Sequence, residues 1–162
     1  MGDSMKMLEF VAKCEEPEKL KTLIVNARKE GANDLAEAAF RKLIALIPSE
    51  KPGTVEHDFW QTVHAFEYLL SDERQKTTRL SRTRQKVQRD GVVQTLKDWA
   101  LSKKATDGFD MLLERNMAEL TGEAIVLRHA NEFSHDVVAA ASKRLTDAGV
   151  DLTSLRPARH TR

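Results

Sequence analysis

Apolar residues recur at steps of three and four along most of the chain, the spacing of amphipathic helices. No segment carries a convincing alternation of apolar and polar residues, and "EAIVLRH" at 123–129 is the one stretch open to a strand reading. In residues 5–15, Met7, Leu8, Val11 and Cys14 fall on one stripe. A second helix is expected over about 17–30, with Pro17 in its first turn, where a missing N–H does no harm. Leu20, Leu23, Ile24 and Ala27 line its inner face, and Gly31 stands in the usual place of a C-terminal cap. A third helix follows from Asp34, read as its N-cap. Leu35, Ala39, Leu43 and Leu46 share its face, with Ala36 and Phe40 beside them, and Pro48 stops it.

Residues 49–58 form a polar loop around a Pro-Gly turn. Beyond it Phe59, Val63, Phe66 and Leu70 recur at alternating steps of four and three. The same register runs on through Thr77, Leu80, Arg84 and Val87. With no Pro or Gly between 54 and 91, the pattern predicts one long helix over about 56–90, or two nearly collinear ones. Its second half is then solvated and projects from the body. Alternatively, Ser71 and Asp72 cap a fresh helix after a break. Short helices follow: one from Thr95, then about 107–115, 121–129, and 134 to Gly149. The expected fold class is all-α: an N-terminal helical hairpin, a long central helix and a C-terminal cluster of short helices. The expected division is 5–90, 91–149, and a flexible basic tail at 150–162.

Composition agrees with helices. Hydrophobic residues make up 41 % of the chain, charged residues 31 % and aromatics 6 %, a balance suited to a thin or elongated helical protein. Cys14 is the only cysteine, so no intramolecular disulfide forms and zinc ligation by several cysteines is excluded. Cys14 itself reads as a partly buried apolar residue. No apolar run approaches a membrane span of ~18 residues, and the start lacks the apolar core of a signal peptide. The expected setting is soluble and cytoplasmic, with no membrane partner.

Gly31, Ala36, Phe40 and Pro48 stand at the spacing at which tetratricopeptide repeats place their turn glycine, small alanine, packing aromatic and terminal proline. Leu20, Leu23 and Ala27 occupy the corresponding positions of a first helix. Residues 17–50 thus resemble one such repeat, covering about 34 of 162 residues. The chain departs from the family pattern at Ile24, where a glycine is expected, and at Leu43, where an alanine is. No second copy is visible, whereas arrays need about three repeats for stability. The resemblance implies a well-packed helical hairpin.

Charge changes the picture. Residues 1–73 hold nine basic and fourteen acidic side chains, and residues 74–162 hold seventeen and eleven. The stretch "RQKTTRLSRTRQKVQR", 74–89, has seven basic side chains and no acidic one. On a continuous helix Arg79, Arg82, Lys86 and Arg89 share a face, with Gln75, Thr78, Ser81 and Gln85 near it. Like charges at this spacing repel by a few tenths of a kcal/mol, and a phosphate polyanion offsets that cost. At ~1.5 Å per residue the segment makes about 22 to 26 Å of helix, long enough to lie in a major groove. The first functional expectation is therefore a non-catalytic nucleic-acid-binding protein gripping phosphates through Arg79, Arg82, Arg84, Lys86 and Arg89. The alternative is a protein-interaction or self-assembling adaptor in which the basic residues meet acidic ones. Its contact stripe is then Phe59, Val63, Phe66 and Leu70.

Signs of catalysis are sparse. There is no Gly-x-Ser-x-Gly elbow and no Gly-rich phosphate loop. His57 and His64 share a helix face near Asp58 and Glu67, without the i, i+4 histidine pairing of zinc helices. His129, Glu132, His135 and Asp136 gather at a helix junction and read as capping or surface pairing. Residues 108–115 and 121–129 offer a helix-turn-helix, although Glu123, Arg128 and His129 suit base reading poorly. No catalytic residue, metal ligand or cofactor is assigned.

Overall fold

The computed structural model describes residues 2–155, with side chains from residue 5. The described residues are all-helical and contain no strand. The chain divides into two compact units, Met1–Ser49 and Glu50–Arg162, each with its own core.

The first unit consists of α1 (Gly2–Lys13), α2 (Pro17–Lys29) and α3 (Asn33–Leu46). Pro17 opens α2 as expected, and Gly31 at φ 73° turns the chain out of it. The Ala32 N–H then reaches the Ala27 carbonyl at 2.8 Å and the Gly31 N–H reaches that of Arg28 at 3.2 Å. These satisfy two carbonyls that the end of a helix leaves open. Leu20, Ile24, Ala27, Ala39, Phe40, Leu43 and Ile44 are at most 2 % exposed and pack α2 against α3. Ile24 and Leu43, the two departures from the repeat pattern, are therefore buried side chains of the hairpin. α1 packs on α3 and buries Val11 and Cys14, while Lys42 donates to the Ala12 carbonyl at 2.9 Å. α3 begins at Asn33, so Asp34 lies in its first turn rather than at its cap.

The second unit consists of α4 (Val55–Arg74), α5 (Ser81–Asp90), α6 (Val92–Leu101), α7 (Asp107–Glu114), α8 (Gly122–Arg128) and α9 (His135–Asp147). Threonine hydroxyls start three of these helices, Thr54, Thr106 and Thr121 each accepting the N–H three residues on. α6 starts three residues before the expected Thr95, whose hydroxyl instead donates back to the Gly91 carbonyl at 2.8 Å. The "EAIVLRH" stretch is helix α8. It is buried from Gly122 to Val126 and lies among α4, α6 and α9. A short helix apolar on nearly every side has to be surrounded in this way. Val55, Phe59, Val63, Leu96, Ile125, Val126, Val137 and Ala141 make the main core cluster, and Phe109, Ala124, Leu145 and Leu155 a second.

Two expectations need correcting. Residues 56–90, expected as one long helix, as two nearly collinear ones or as a fresh helix capped by Ser71 and Asp72, are two helices parted after Arg74. α4 ends at Gln75, which takes a left-handed φ of 56°, and α5 starts six residues later. Ser71 secures the break, its Oγ accepting the Thr78 N–H at 2.8 Å. α5 does not project freely, because Leu80 and Val87 pack against the main core cluster. The basic tail expected at 150–162 falls partly outside the described residues. Its first part is not loose: Leu152–Leu155 forms a 3-10 turn, and Leu155 is buried.

Candidate functional site

Division of the helix divides the basic stretch as well. Arg84 faces inward and meets Glu67 of α4, its Nε donating to Oε2 at 2.8 Å and its terminal nitrogen to Oε1 at 2.6 Å. The same carboxylate accepts the Leu80 N–H at 2.7 Å, so Glu67 joins the first turn of α5 to α4. Burial pushes the Glu67 carboxyl up, but Arg84 and the Leu80 N–H prevail and hold it below its ordinary value. The Arg84 guanidinium also lies over the Trp60 ring, 5.3 Å from its centre. Lys86 reaches Asp98 of α6 at 2.5 Å and Asp90 at 3.1 Å. Its ammonium is held above the ordinary lysine value by hydrogen bonds to these two carboxylates. Arg89 is 70 % exposed and pairs with its neighbour Asp90 at 3.1 Å.

Of the five cations singled out from sequence, Arg84 and Lys86 therefore hold α5 to the body. Arg79 and Arg82 are exposed and pair with no acidic side chain among the described residues, and Arg89 lies between these two classes. The structure adds Arg74 and Lys76, also exposed and without an acidic partner. These two lay in the stretch quoted from sequence but outside the chosen face, because that face assumed an unbroken helix. The resulting site is the α4–α5 connection and the first turn of α5, with four unneutralised cations in nine residues, 74–82.

The proposed contact stripe is mostly internal. Phe59 and Val63 are 0 % and 1 % exposed, so the register that suggested a coiled-coil seam is the core face of α4. Phe66 and Leu70 are half-buried. Phe66, Leu80, Thr83, Trp99, Phe109 and Thr121 are among the residues around a small cavity of about 70 Å³ in the second unit. The helix-turn-helix reading of 108–129 fails for a related reason. Glu123 is 2 % exposed, and Arg128 and His129 turn inward to Asp58.

That last contact joins residues far apart in the chain. His129 Nε2 lies 2.8 Å and Arg128 Nε 3.4 Å from Asp58 Oδ2, while Arg128 also donates to the Glu119 carbonyl at 2.7 Å. His57 Nδ1 is 3.8 Å from the other Asp58 oxygen. This cluster ties the first turn of α4 to the end of α8. No group of three or more His, Cys, Asp or Glu among the described residues is placed to hold a metal ion. Nor is any described helix long and apolar enough to cross a membrane.

Comparison of the chain with family models, curated proteins and solved structures finds no match. The functional reading therefore rests on the geometry alone.

Proposed function

We propose that this protein is a non-catalytic binder of nucleic acid that grips phosphates through Arg74, Lys76, Arg79 and Arg82. The observation that carries the proposal is the sorting of the basic stretch. Where a cation is needed to hold the fold, as at Arg84 and Lys86, a carboxylate meets it. At the four positions of 74–82 no acidic side chain among the described residues does, although the rest of the chain has carboxylates to offer. Neighbouring unneutralised cations repel one another, and a phosphate backbone relieves that repulsion while releasing its own counterions. Three of the four are arginines, whose planar donors suit phosphate oxygens. The test is fluorescence anisotropy of labelled duplex and single-stranded DNA and RNA with the full chain at ~50 mM salt. Micromolar or tighter binding that disappears in the variant with all four cations changed to Gln is the expected result. Absence of binding to any of the four probes overturns the proposal.

A second reading, protein contact, is favoured by a different surface. Six of the eight large exposed hydrophobics among the described residues belong to the first unit, Met5 at 67 % and Phe10 at 44 % among them. Phe10 and Leu23 also line a shallow groove with Thr22 and Asn26. Sedimentation of the wild type and of Phe10→Glu at several protein concentrations tests it. Self-association that the substitution abolishes supports this reading, and a monomer at every concentration removes self-assembly from it.

A further inference from the structure

The outward face of α5 has a composition that phosphate binding alone does not account for. At about 100° per residue, Gln88, Ser81 and Gln85 fall within one narrow arc, and Arg89 and Arg82 follow along one edge of it. All five are exposed, whereas Leu80, Thr83, Arg84 and Val87 on the opposite side are half-buried. A helix face that is only solvated usually mixes acidic and basic residues at i, i+4. This one carries two carboxamides, a hydroxyl and two guanidiniums, and the carboxylate beside it, Asp90, is paired with Arg89 and Lys86. The back of the same helix is fixed, by Arg84 to Glu67, by Lys86 to Asp98 and by the packing of Leu80 and Val87. The face is thus presented on a short element held from behind, as precise recognition requires.

Resting on the nucleic-acid reading above, we propose that α5 reads base edges in the major groove of duplex DNA. Gln85 and Gln88 supply the carboxamides that pair with adenine. Arg74, Lys76 and Arg79, just before the helix, and Arg82 in its first turn hold the flanking phosphates. Ten residues of helix are ~15 Å long, enough for about four base pairs. Duplex DNA is chosen over RNA because the major groove of A-form RNA is too narrow for side chains to read. Single strands are disfavoured because residues 74–91 contain no aromatic side chain on which a base would stack.

The experiment is selection of a randomised duplex pool by the full chain, followed by anisotropy on the enriched sequence and on an unselected duplex. The comparison protein is Gln85→Ala/Gln88→Ala, which touches only exposed positions of α5 and leaves its tethers intact. The wild type is expected to prefer the enriched duplex by at least about tenfold, consistent with one or two bidentate base contacts. The variant is expected to bind both duplexes alike, with its affinity for the unselected one within about twofold of wild type. Binding to every duplex without preference, or a preference that survives in the variant, overturns base reading by α5 and leaves the phosphate grip standing. Tighter binding to RNA or to single strands than to duplex DNA overturns the choice of groove. Absence of binding to any nucleic acid removes both proposals together.

Discussion

Glu67 and Arg84, seventeen residues apart, are joined by two parallel hydrogen bonds of 2.8 and 2.6 Å between α4 and α5. The pair decides how α5 sits. It draws the helix down onto its apolar side and leaves Ser81, Arg82, Gln85, Gln88 and Arg89 facing outward. Removing one partner strands the other. In Arg84→Met, Glu67 keeps only the Leu80 N–H, and the side chain over Trp60 loses its charge. The expected loss is about 2–4 kcal/mol in urea unfolding, somewhat under that of a fully buried pair because Arg84 is partly exposed. The double variant Glu67→Gln/Arg84→Met recovers part of it, and a loss below about 0.5 kcal/mol for Arg84→Met would class the pair with surface bridges.

Acid acts on the same corner. The Glu67 carboxyl lies below its ordinary value of 4.5 despite its burial, so its stabilisation is complete above pH 4.5 and is lost as pH falls through the folded value. His64 lies 3.9 Å from Glu67, and its imidazole is held below the ordinary 6.5, mainly by burial. Its neutral form is favoured in the folded state, so its contribution is present above pH 6.5 and is lost as pH falls below that. Unfolding free energies measured from pH 8 to pH 3 will therefore fall less steeply below pH 6.5 in His64→Gln than in the wild type. Glu67→Gln will remove the further loss below pH 4.5. Parallel profiles for wild type and both variants would contradict this assignment.

Glu123 has the opposite sign. Its side chain is buried, one oxygen has no hydrogen-bond partner, and Arg144 approaches the other only to 3.5 Å. Burial pushes its carboxyl above the ordinary 4.5, so stability is fully present below pH 4.5 and is lost as pH rises through the folded value. Glu123→Gln will melt higher than the wild type at pH 8, with the advantage shrinking towards pH 4. A variant that melts lower at pH 8 would mean that the Arg144 contact outweighs the cost of burying the charge.

Gly122 is required by packing. A Cβ built there meets Cε3 of Trp99 at 2.8 Å, an indole carbon with no flexible end to give way. Gly122→Ala will destabilise the second unit by about 1–3 kcal/mol through overpacking. At an unhindered site the same change commonly stabilises by about 0.4–1 kcal/mol. Thermal unfolding distinguishes the two, since a rise in melting temperature would show that Trp99 moves aside freely.

Much of the helix layout was legible because local signals carry it. Pro17 and Gly31 mark helix ends by their own backbone chemistry, and Thr54 and Thr121 by a hydroxyl that accepts an N–H of the first turn. The marker offered for the α4–α5 break, Ser71 and Asp72 as caps of a fresh helix, falls inside α4 instead. Gln75 takes a positive φ without being glycine, and the break is held by Ser71 and Glu67 across seven and thirteen residues. The apolar register still placed Leu80 and Val87 on the core side, since both helices face the same core. For the site, the gathering of charge was visible in sequence, but its sorting was not. Whether Arg84 or Lys86 meets a carboxylate depends on Glu67 and Asp98, which helical spacing within 74–89 does not locate. Asp58 and His129, 71 residues apart, were beyond any local pattern.

The central claim is that the cations of 74–82 meet phosphates while Arg84 and Lys86 serve the fold. The most direct measurement is the slope of log binding constant against log salt for duplex DNA, at roughly −0.9 per phosphate neutralised. The wild type is predicted to give a slope of about −3 to −4, and Arg74→Gln/Lys76→Gln/Arg79→Gln/Arg82→Gln a slope near zero. Lys86→Gln, already paired with Asp98 and Asp90, is predicted to change the slope by well under one charge. A quadruple variant that keeps the wild-type slope, or a Lys86→Gln that loses as much as any of the four, would contradict the account.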